Sequence, residues 1–100
     1  MMNMFVENVK KWSIEKGIVP YSNAEKQFIK TVEEVGEIAD ALARGKVNDL
    51  KDAIGDTVVC LINLATLYGL DFNECCETAW LGIKDRKANM AGGFLVKEEK

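Results

Sequence analysis

The sequence predicts an all-α protein of four to five helices, in which an antiparallel helical hairpin forms a four-helix-bundle core in an oligomer. Apolar residues recur at helical spacing almost throughout, and one proline and eight glycines mark the joints between segments. The loop over residues 45–48 is too short for anything but an antiparallel reversal of two long helices. With 100 residues, 48% of them hydrophobic and 29% charged, the chain has the composition of one globular domain.

Glycines and capping residues predict the boundaries of the first two helices. The first helix is predicted over residues 3–16 and ends at Gly17, and a connector with the single proline follows it. Ser22 or Asn23 then caps a long second helix that ends at Gly45.

The same signals predict two further helices. Asn48 or Asp49 opens the third helix, which ends at Gly69. Asp71 begins an acidic capping box for a fourth helix, predicted to continue to residue 87.

One domain over residues 1–100 is therefore expected to have three parts. Residues 1–21 form the N-terminal helix and connector, residues 22–87 form a metal-binding helical core, and residues 88–100 form a tail. The tail contains a Gly-Gly pair followed by Phe-Leu-Val and is predicted to be an extended arm.

The second helix separates into an apolar stripe and a polar stripe. The apolar stripe, predicted to face the core, consists of Phe28, Val32, Val35, Ile38, Ala39 and Leu42. The neighbouring polar stripe contains Lys30, Glu34 and Glu37, while Glu33 and Asp40 are expected to point further toward solvent. By itself, this polar stripe is more typical of a solvated helix flank with a Lys30–Glu34 ion pair than of a metal site.

The third helix is apolar in nearly every direction from residue 54 to residue 67, which predicts burial on all sides. Asp52, Asp56 and Asn63 interrupt this pattern in one narrow sector, and Asp49 lies one turn before them. A carboxylate in such surroundings must meet a cation, accept several hydrogen bonds or bind a proton. Because like charges repel on both helices, a bound divalent metal is the interpretation that we favour over structural ion pairs.

Antiparallel packing places the two acid pairs at about the same level, since each residue rises about 1.5 Å along a helix. Glu34, Glu37, Asp52 and Asp56 are then expected to face one volume. Carboxylate oxygens suit Mg²⁺ or Mn²⁺. The absence of histidine excludes the Glu-x-x-His pair of di-iron bundles, and with no CxxC spacing it excludes ordinary zinc sites and Ser-His or Cys-His catalysis.

Charge and hydropathy limit the partners of this chain. A net charge of −3 and a pI near 5.0 argue against nucleic-acid binding, which needs clustered Lys and Arg. No segment approaches the ~20 consecutive apolar residues of a membrane span, and no basic region with an apolar stretch begins the chain. Three cysteines without a pairing pattern fit a reducing compartment, so a cytoplasmic protein with no membrane partner is expected.

Three short motifs in this order resemble the MazG-like nucleoside triphosphate pyrophosphohydrolases. They are EEVGEI at residues 33–38, DAIGD at 52–56 and IKDRK at 83–87. The resemblance spans about residues 27–96 and is greatest to short, single-domain members that include phage proteins, whose tail is similar to GFLVKE at 93–98.

This resemblance implies an all-α homodimer or homotetramer that cleaves a nucleoside triphosphate between its α- and β-phosphates, with Mg²⁺ and with sites at subunit boundaries. By position, Glu34, Glu37 and Asp56 are implied metal ligands, and Glu33 is implied as an acid that either supports these ligands from behind or activates water. Lys30, Lys84, Arg86 and Lys87 are implied phosphate ligands.

Two positions depart from the family pattern. Ala53 stands where the family usually has a glutamate ligand, so that Asp52 is the available substitute. Gly82 stands where many members have an asparagine that contacts the sugar. Trp12 is a candidate for stacking on the base, although aromatic residues at helical spacing more often belong to a core.

Two other functions fit the same residues. In one, the chain is a helical oligomerisation or adaptor module whose acids form ion pairs across its own interface. In the other, suggested by Ala53, it is an inactive relative that binds a nucleotide without cleaving it.

Overall fold

The computed structural model describes residues 2–98, with side chains from residue 4 onward, and confirms the all-α fold class. It contains five α-helices followed by a small β-hairpin. The elements are α1 (Met2–Lys16), α2 (Ile18–Tyr21), α3 (Ala24–Arg44), α4 (Val47–Leu67), α5 (Phe72–Ile83), β1 (Ala88–Ala91) and β2 (Phe94–Lys97). Residues 99 and 100 of the predicted tail lie outside the described residues.

The boundaries of the first helices agree closely with the sequence signals. Gly17 ends α1 with a positive φ of 87°. The connector forms the single irregular turn α2, which includes a cis Val19–Pro20 peptide bond. Asn23 is the N-cap of α3, since its side-chain oxygen accepts a hydrogen bond of 2.8 Å from the backbone N–H of Lys26.

The loop between α3 and α4 is shorter than predicted, and the proposed cap at Asn48 or Asp49 is wrong. Gly45, with φ 66°, ends α3, and the Lys46 N–H donates back to the Ala41 carbonyl oxygen. This bond reverses the chain at once, so that Lys46 is already the N-cap of α4. The resulting antiparallel hairpin is the main contact between helices in the protein.

Asp71 caps α5 as predicted, accepting hydrogen bonds from the backbone N–H groups of Asn73 and Glu74 at 2.7 and 3.3 Å. The predicted end of this helix at residue 87 is wrong, because α5 stops at Ile83. A hydrogen bond from the Glu98 N–H to the Lys87 carbonyl oxygen extends the strand pairing to this point, so the chain must leave the helix before it.

The tail is extended, but it folds back on itself as an antiparallel hairpin. Its turn is Gly92-Gly93, and both glycines have positive φ, as a two-residue hairpin turn requires. Within residues 2–98 the hairpin packs against no helix. Its large apolar side chains are exposed, namely Met90, Phe94, Leu95 and Val96.

The core is small and lies between α1 and α4. Val6, Val9 and Ile62 are buried, and Val58, Val59 and Phe72 pack around them. The prediction that α4 is buried on every side is wrong, because Ile54 and Asp56 are exposed to solvent.

The predicted core stripe of α3 is also wrong for the single chain. Its members Phe28, Val32, Val35 and Leu42 are each at least half exposed. The buried residues of this helix are Thr31 and Ala41, with Glu34 and Ile38 half-buried at the same helical spacing. The mixed polar face of α3 therefore packs against α4, and the apolar face is left uncovered.

No single helix within residues 2–98 is both long and apolar enough to cross a membrane. Among the described helices, α4 and α5 reach that length and composition only as a pair, and they are bent by 106° relative to each other.

Candidate metal and nucleotide site

An acidic cleft of about 120 Å³ lies between α3 and α4. All four acids predicted to face one volume line it, so the hairpin brings the two pairs together. Its six carboxylates are those of Glu34, Glu37, Asp40, Asp49, Asp52 and Asp56. Two buried alanines, Ala41 and Ala53, complete the lining and leave room between the helices.

Two of these acids, Asp40 and Asp49, were not among the site residues predicted from the sequence. Asp40 was expected to point toward solvent; it is indeed exposed, yet it also lines the cleft. Their spacing is the signal that was available, since Asp40 follows Glu37 by three residues and Asp49 precedes Asp52 by three.

Few cations offset this charge within residues 4–98. The Lys30 Nζ lies 3.5 Å from Glu34 Oε1, and the Arg44 Nε lies 3.0 Å from Asp40 Oδ1. Partial burial raises the pKa of Asp56, and the nearby carboxylates of Asp52 and Glu34 raise it further. The cleft thus concentrates negative charge that the rest of the described chain does not neutralise.

The donor set of the cleft fits a hard divalent cation, because every donor is a carboxylate oxygen. Within the described residues, no three Asp, Glu or Cys side chains already converge closely enough to hold a metal ion. The carboxylates share one volume without forming a closed cage, and the exposed side chains of Glu37 and Asp52 are free to change rotamer.

A larger cavity of about 390 Å³ adjoins the cleft, and Glu34 and Asp56 line both. Its remaining lining comes from α1, the connector, α3 and α4: Trp12, Ile18, Lys26, Gln27, Lys30, Val59, Cys60 and Asn63. Trp12 is 46% exposed, so it lines this cavity and does not belong to the buried core. The volume is within the usual range of small-molecule sites, about 300–1,000 Å³.

The cavity contains one thiol and one buried amide. Burial raises the pKa of the Cys60 thiol, and the carboxylate of Glu34 raises it further, which keeps the thiol protonated. Asn63, only 3% exposed, accepts a hydrogen bond from the fully buried hydroxyl of Ser13. The sequence analysis did not select either member of this pair as a site residue.

The other predicted residues lie elsewhere in the chain. Glu33 lines neither the cleft nor the cavity, and its Oε1 lies 2.5 Å from Lys30 Nζ. Arg86 and Lys87 line a separate cavity next to the β-hairpin. Lys84 pairs with Asp85 at 3.1 Å.

Comparison with known proteins shows the family of this chain. The sequence model of the MazG nucleotide pyrophosphohydrolase domain matches residues 23–90, and the chain therefore belongs to that family. The matched region contains α3, α4 and every carboxylate of the cleft.

A relative among curated proteins is the uncharacterized 18.2 kDa protein in the rep-hol intergenic region of Haemophilus phage HP1 (strain HP1c1). It is 34% identical over 70 residues, which are 70% of this chain and 43% of the phage protein. The chain thus spans less than half the length of that relative. No solved structure matches the chain.

Proposed function

We propose that this protein is a divalent-metal-dependent pyrophosphohydrolase that cleaves a nucleoside or deoxynucleoside triphosphate between its α- and β-phosphates. The observation that carries this proposal is the pair of residues, Glu34 and Asp56, shared by the acidic cleft and the adjoining cavity. A ligand that fills both volumes has a polyanionic end at the carboxylates and an uncharged end beside Trp12. A nucleotide with a bound divalent metal has these two ends.

Glu34, Glu37 and Asp56 would hold the metal, and Asp52 would take the place of the family's glutamate at Ala53. When bound, Mg²⁺ or Mn²⁺ supplies charge neutralisation at the phosphoryl oxygens and lowers the pKa of a water molecule. The half-buried position of Glu34, whose side chain is 13% exposed, keeps it in place as an anchor between the two helices.

Lys30 would bind a phosphate at the junction of cleft and cavity. Its ammonium now contacts Glu33 and Glu34, and the carboxylate of Glu33, followed by that of Glu34, raises its pKa. It is therefore charged and able to move to a phosphoryl oxygen. That movement frees the Glu33 carboxylate, which lines neither volume in one chain and would have to turn toward the cleft to accept a proton from the attacking water.

A homodimer or homotetramer is part of the proposal. An uncovered apolar stripe follows α3, and Ile54 and Leu61 on α4 are also exposed. A second copy that covers these surfaces would remove apolar area from water at about 25 cal/mol per Å². Lys84, Arg86 and Lys87, which line neither the cleft nor its cavity in one chain, would reach the phosphates of a neighbouring copy.

The decisive experiment measures pyrophosphate release from a panel of nucleotides with Mg²⁺, with Mn²⁺ and with EDTA. We expect metal-dependent release by the wild type and a loss of at least about 100-fold for Glu37→Gln, since one lost metal ligand removes several kcal/mol of transition-state stabilisation. Glu77→Gln, an exposed acid on α5 that lines neither volume, is the matched control and keeps full activity.

Two alternatives predict other results. A helical adaptor shows no release from any nucleotide and a melting temperature that Mg²⁺ does not change. An inactive relative, suggested by Ala53, binds nucleotide with metal but releases no pyrophosphate.

A further inference from the structure

Asn63 is a buried polar residue of α4 that lines the cavity beside the acidic cleft. Its hydrogen-bond partner, Ser13, lies 50 positions earlier in the chain on α1 and is fully buried. Burying a carboxamide is costly unless its donors and its acceptor form hydrogen bonds. The orientation of the Asn63 amide therefore decides whether a donor or an acceptor faces the cavity.

The Ser13 hydroxyl determines that orientation. Within the described residues this hydroxyl donates only to Asn63 Oδ1 and not to the carbonyl oxygen one turn earlier, which is the bond made by Thr31, Thr57 and Thr66. With the amide in this orientation, the buried hydroxyl hydrogen has an acceptor in Asn63 Oδ1. The oxygen of Asn63 therefore faces Ser13, and its amino group is left for the cavity.

The amino group has no acceptor within the described part of the chain, and no buried side-chain nitrogen or oxygen there lacks a partner. The Nδ2 atom is therefore not fully buried, and the cavity is the volume that Asn63 lines. Among the other polar groups that line the cavity, Lys26, Lys30 and the protonated thiol of Cys60 are donors, whereas the carboxylates of Glu34 and Asp56 are acceptors and the Gln27 amide can do either.

We propose that Asn63, held by Ser13, is the residue that reads the nucleobase, and that it selects bases bearing a keto oxygen over those bearing an amino group at the same position. This inference rests on the proposed function and assigns its substrate class. A keto oxygen accepts from the Asn63 amino group, whereas an exocyclic amino group would place two donors against each other. Ser13 acts through Asn63 and is a positioning residue.

The test uses two matched pairs of nucleotides, dUTP with dCTP and dITP with dATP, which differ mainly by a keto oxygen in place of an amino group. Binding of their non-hydrolysable α,β-imido analogues to the full chain is measured by calorimetry with Mg²⁺, alongside pyrophosphate release from the natural nucleotides. We expect the wild type to bind the keto member of each pair about 10-fold more tightly, in line with one buried hydrogen bond.

Asn63→Leu removes the donor with little change in size, so the keto-to-amino ratio should fall to about 1. Ser13→Ala frees the amide to rotate, so the ratio should fall part of the way while both nucleotides still bind. Thr66→Ala is the matched control, because it removes a hydroxyl from the same helix without touching the cavity, and it should leave the ratio unchanged. Should Asn63→Leu fail to fold in a melting experiment, the ratio in Ser13→Ala decides.

The outcomes separate this inference from the proposed function. Pyrophosphate release with equal binding of both members of each pair overturns the base-reading role of Asn63 alone. A ratio that Asn63→Leu or Ser13→Ala leaves at the wild-type value also overturns it. A wild type that neither binds nor cleaves any nucleotide overturns the proposed function and this inference with it.

Discussion

Glu34 on α3 and Asp56 on α4 line the same two volumes, and the Glu34 carboxylate adds to the effect of partial burial and Asp52 in raising the pKa of Asp56. This contact between helices unites motifs that are about 20 residues apart in the sequence. It is energetically unfavourable without a cation, because neighbouring carboxylates repel. The repulsion between these carboxylates thus lies at the place where the proposed metal would relieve it.

Asp56→Asn should stabilise the metal-free protein at pH 7. The folded-state pKa of Asp56 is raised above its unfolded value, so the ionised carboxylate disfavours folding at neutral pH. As the pH falls through the folded-state pKa, Asp56 binds a proton and the wild type becomes more stable. The difference in melting temperature between the wild type and Asp56→Asn should therefore disappear at low pH. Thermal melts in EDTA between pH 7 and pH 4 measure this difference, with Asp85→Asn as an exposed control outside the cleft.

In excess Mg²⁺ the order of these two proteins should reverse. A metal at about 100 times its Kd adds about 2.7 kcal/mol to the free energy of unfolding. For a domain of this size, that addition raises Tm by roughly 10–20 °C. The wild type should show this rise and Asp56→Asn should show little of it; equal rises in both would remove Asp56 from the ligand set.

Lys30→Met should lower kcat/KM for nucleotide cleavage by about 10- to 100-fold, since a hydrogen bond to a charged phosphate contributes about 1.5–3 kcal/mol. The rise of Tm with Mg²⁺ should persist, because the cleft keeps all its carboxylates. Lys10→Met is the matched control, as Lys10 forms an equivalent ion pair with Glu7 three residues earlier. Full activity of Lys30→Met would contradict its role as a phosphate ligand.

Ala53→Glu should strengthen metal binding while lowering the stability of the metal-free protein. Ala53 is buried and lines the cleft, so a glutamate there adds a seventh carboxylate to six that already repel one another. Ala53→Gln separates charge from size, because it adds the same volume without the charge. We expect a larger rise of Tm with Mg²⁺ for Ala53→Glu than for the wild type, and no such gain for Ala53→Gln.

Val32→Asp should shift the protein toward the monomer in light scattering coupled to size-exclusion chromatography. Val32 lies within the uncovered apolar stripe of α3 and is more than half exposed in one chain. Val47→Asp, which places the same charge on an exposed valine at the start of α4, should leave the oligomer intact. If the partner supplies the basic residues after α5, activity should fall together with the oligomer.

The sequence alone predicted the hairpin of α3 and α4 and the meeting of Glu34, Glu37, Asp52 and Asp56. Helical spacing and a short loop determine which side of each helix carries the acids and at what level they lie. The N-cap at Asp71 and the glycines that end the helices could also be predicted, because both depend on local backbone chemistry.

Tertiary structure decided which face of α3 packs against α4. The apolar stripe predicted the core, yet in one chain the mixed face with Thr31 and Ala41 is buried instead. An amphipathic pattern indicates that the apolar face of a helix is buried, but it does not indicate what buries it. A neighbouring helix of the same chain and a second copy of the chain can both do so.

The base-reading pair of Ser13 and Asn63 also belongs to the tertiary structure. Asn63 stands out in the sequence as a polar residue in the same sector of an apolar helix as Asp52 and Asp56, but nothing local couples it to a serine 50 positions earlier on α1. The sequence determined the acidic end of the site through local spacing, whereas the packing of α1 onto α4 alone decided which buried donor faces the other end. Long-range contacts of this kind depend on how helices pack together, and no periodicity within one helix encodes them.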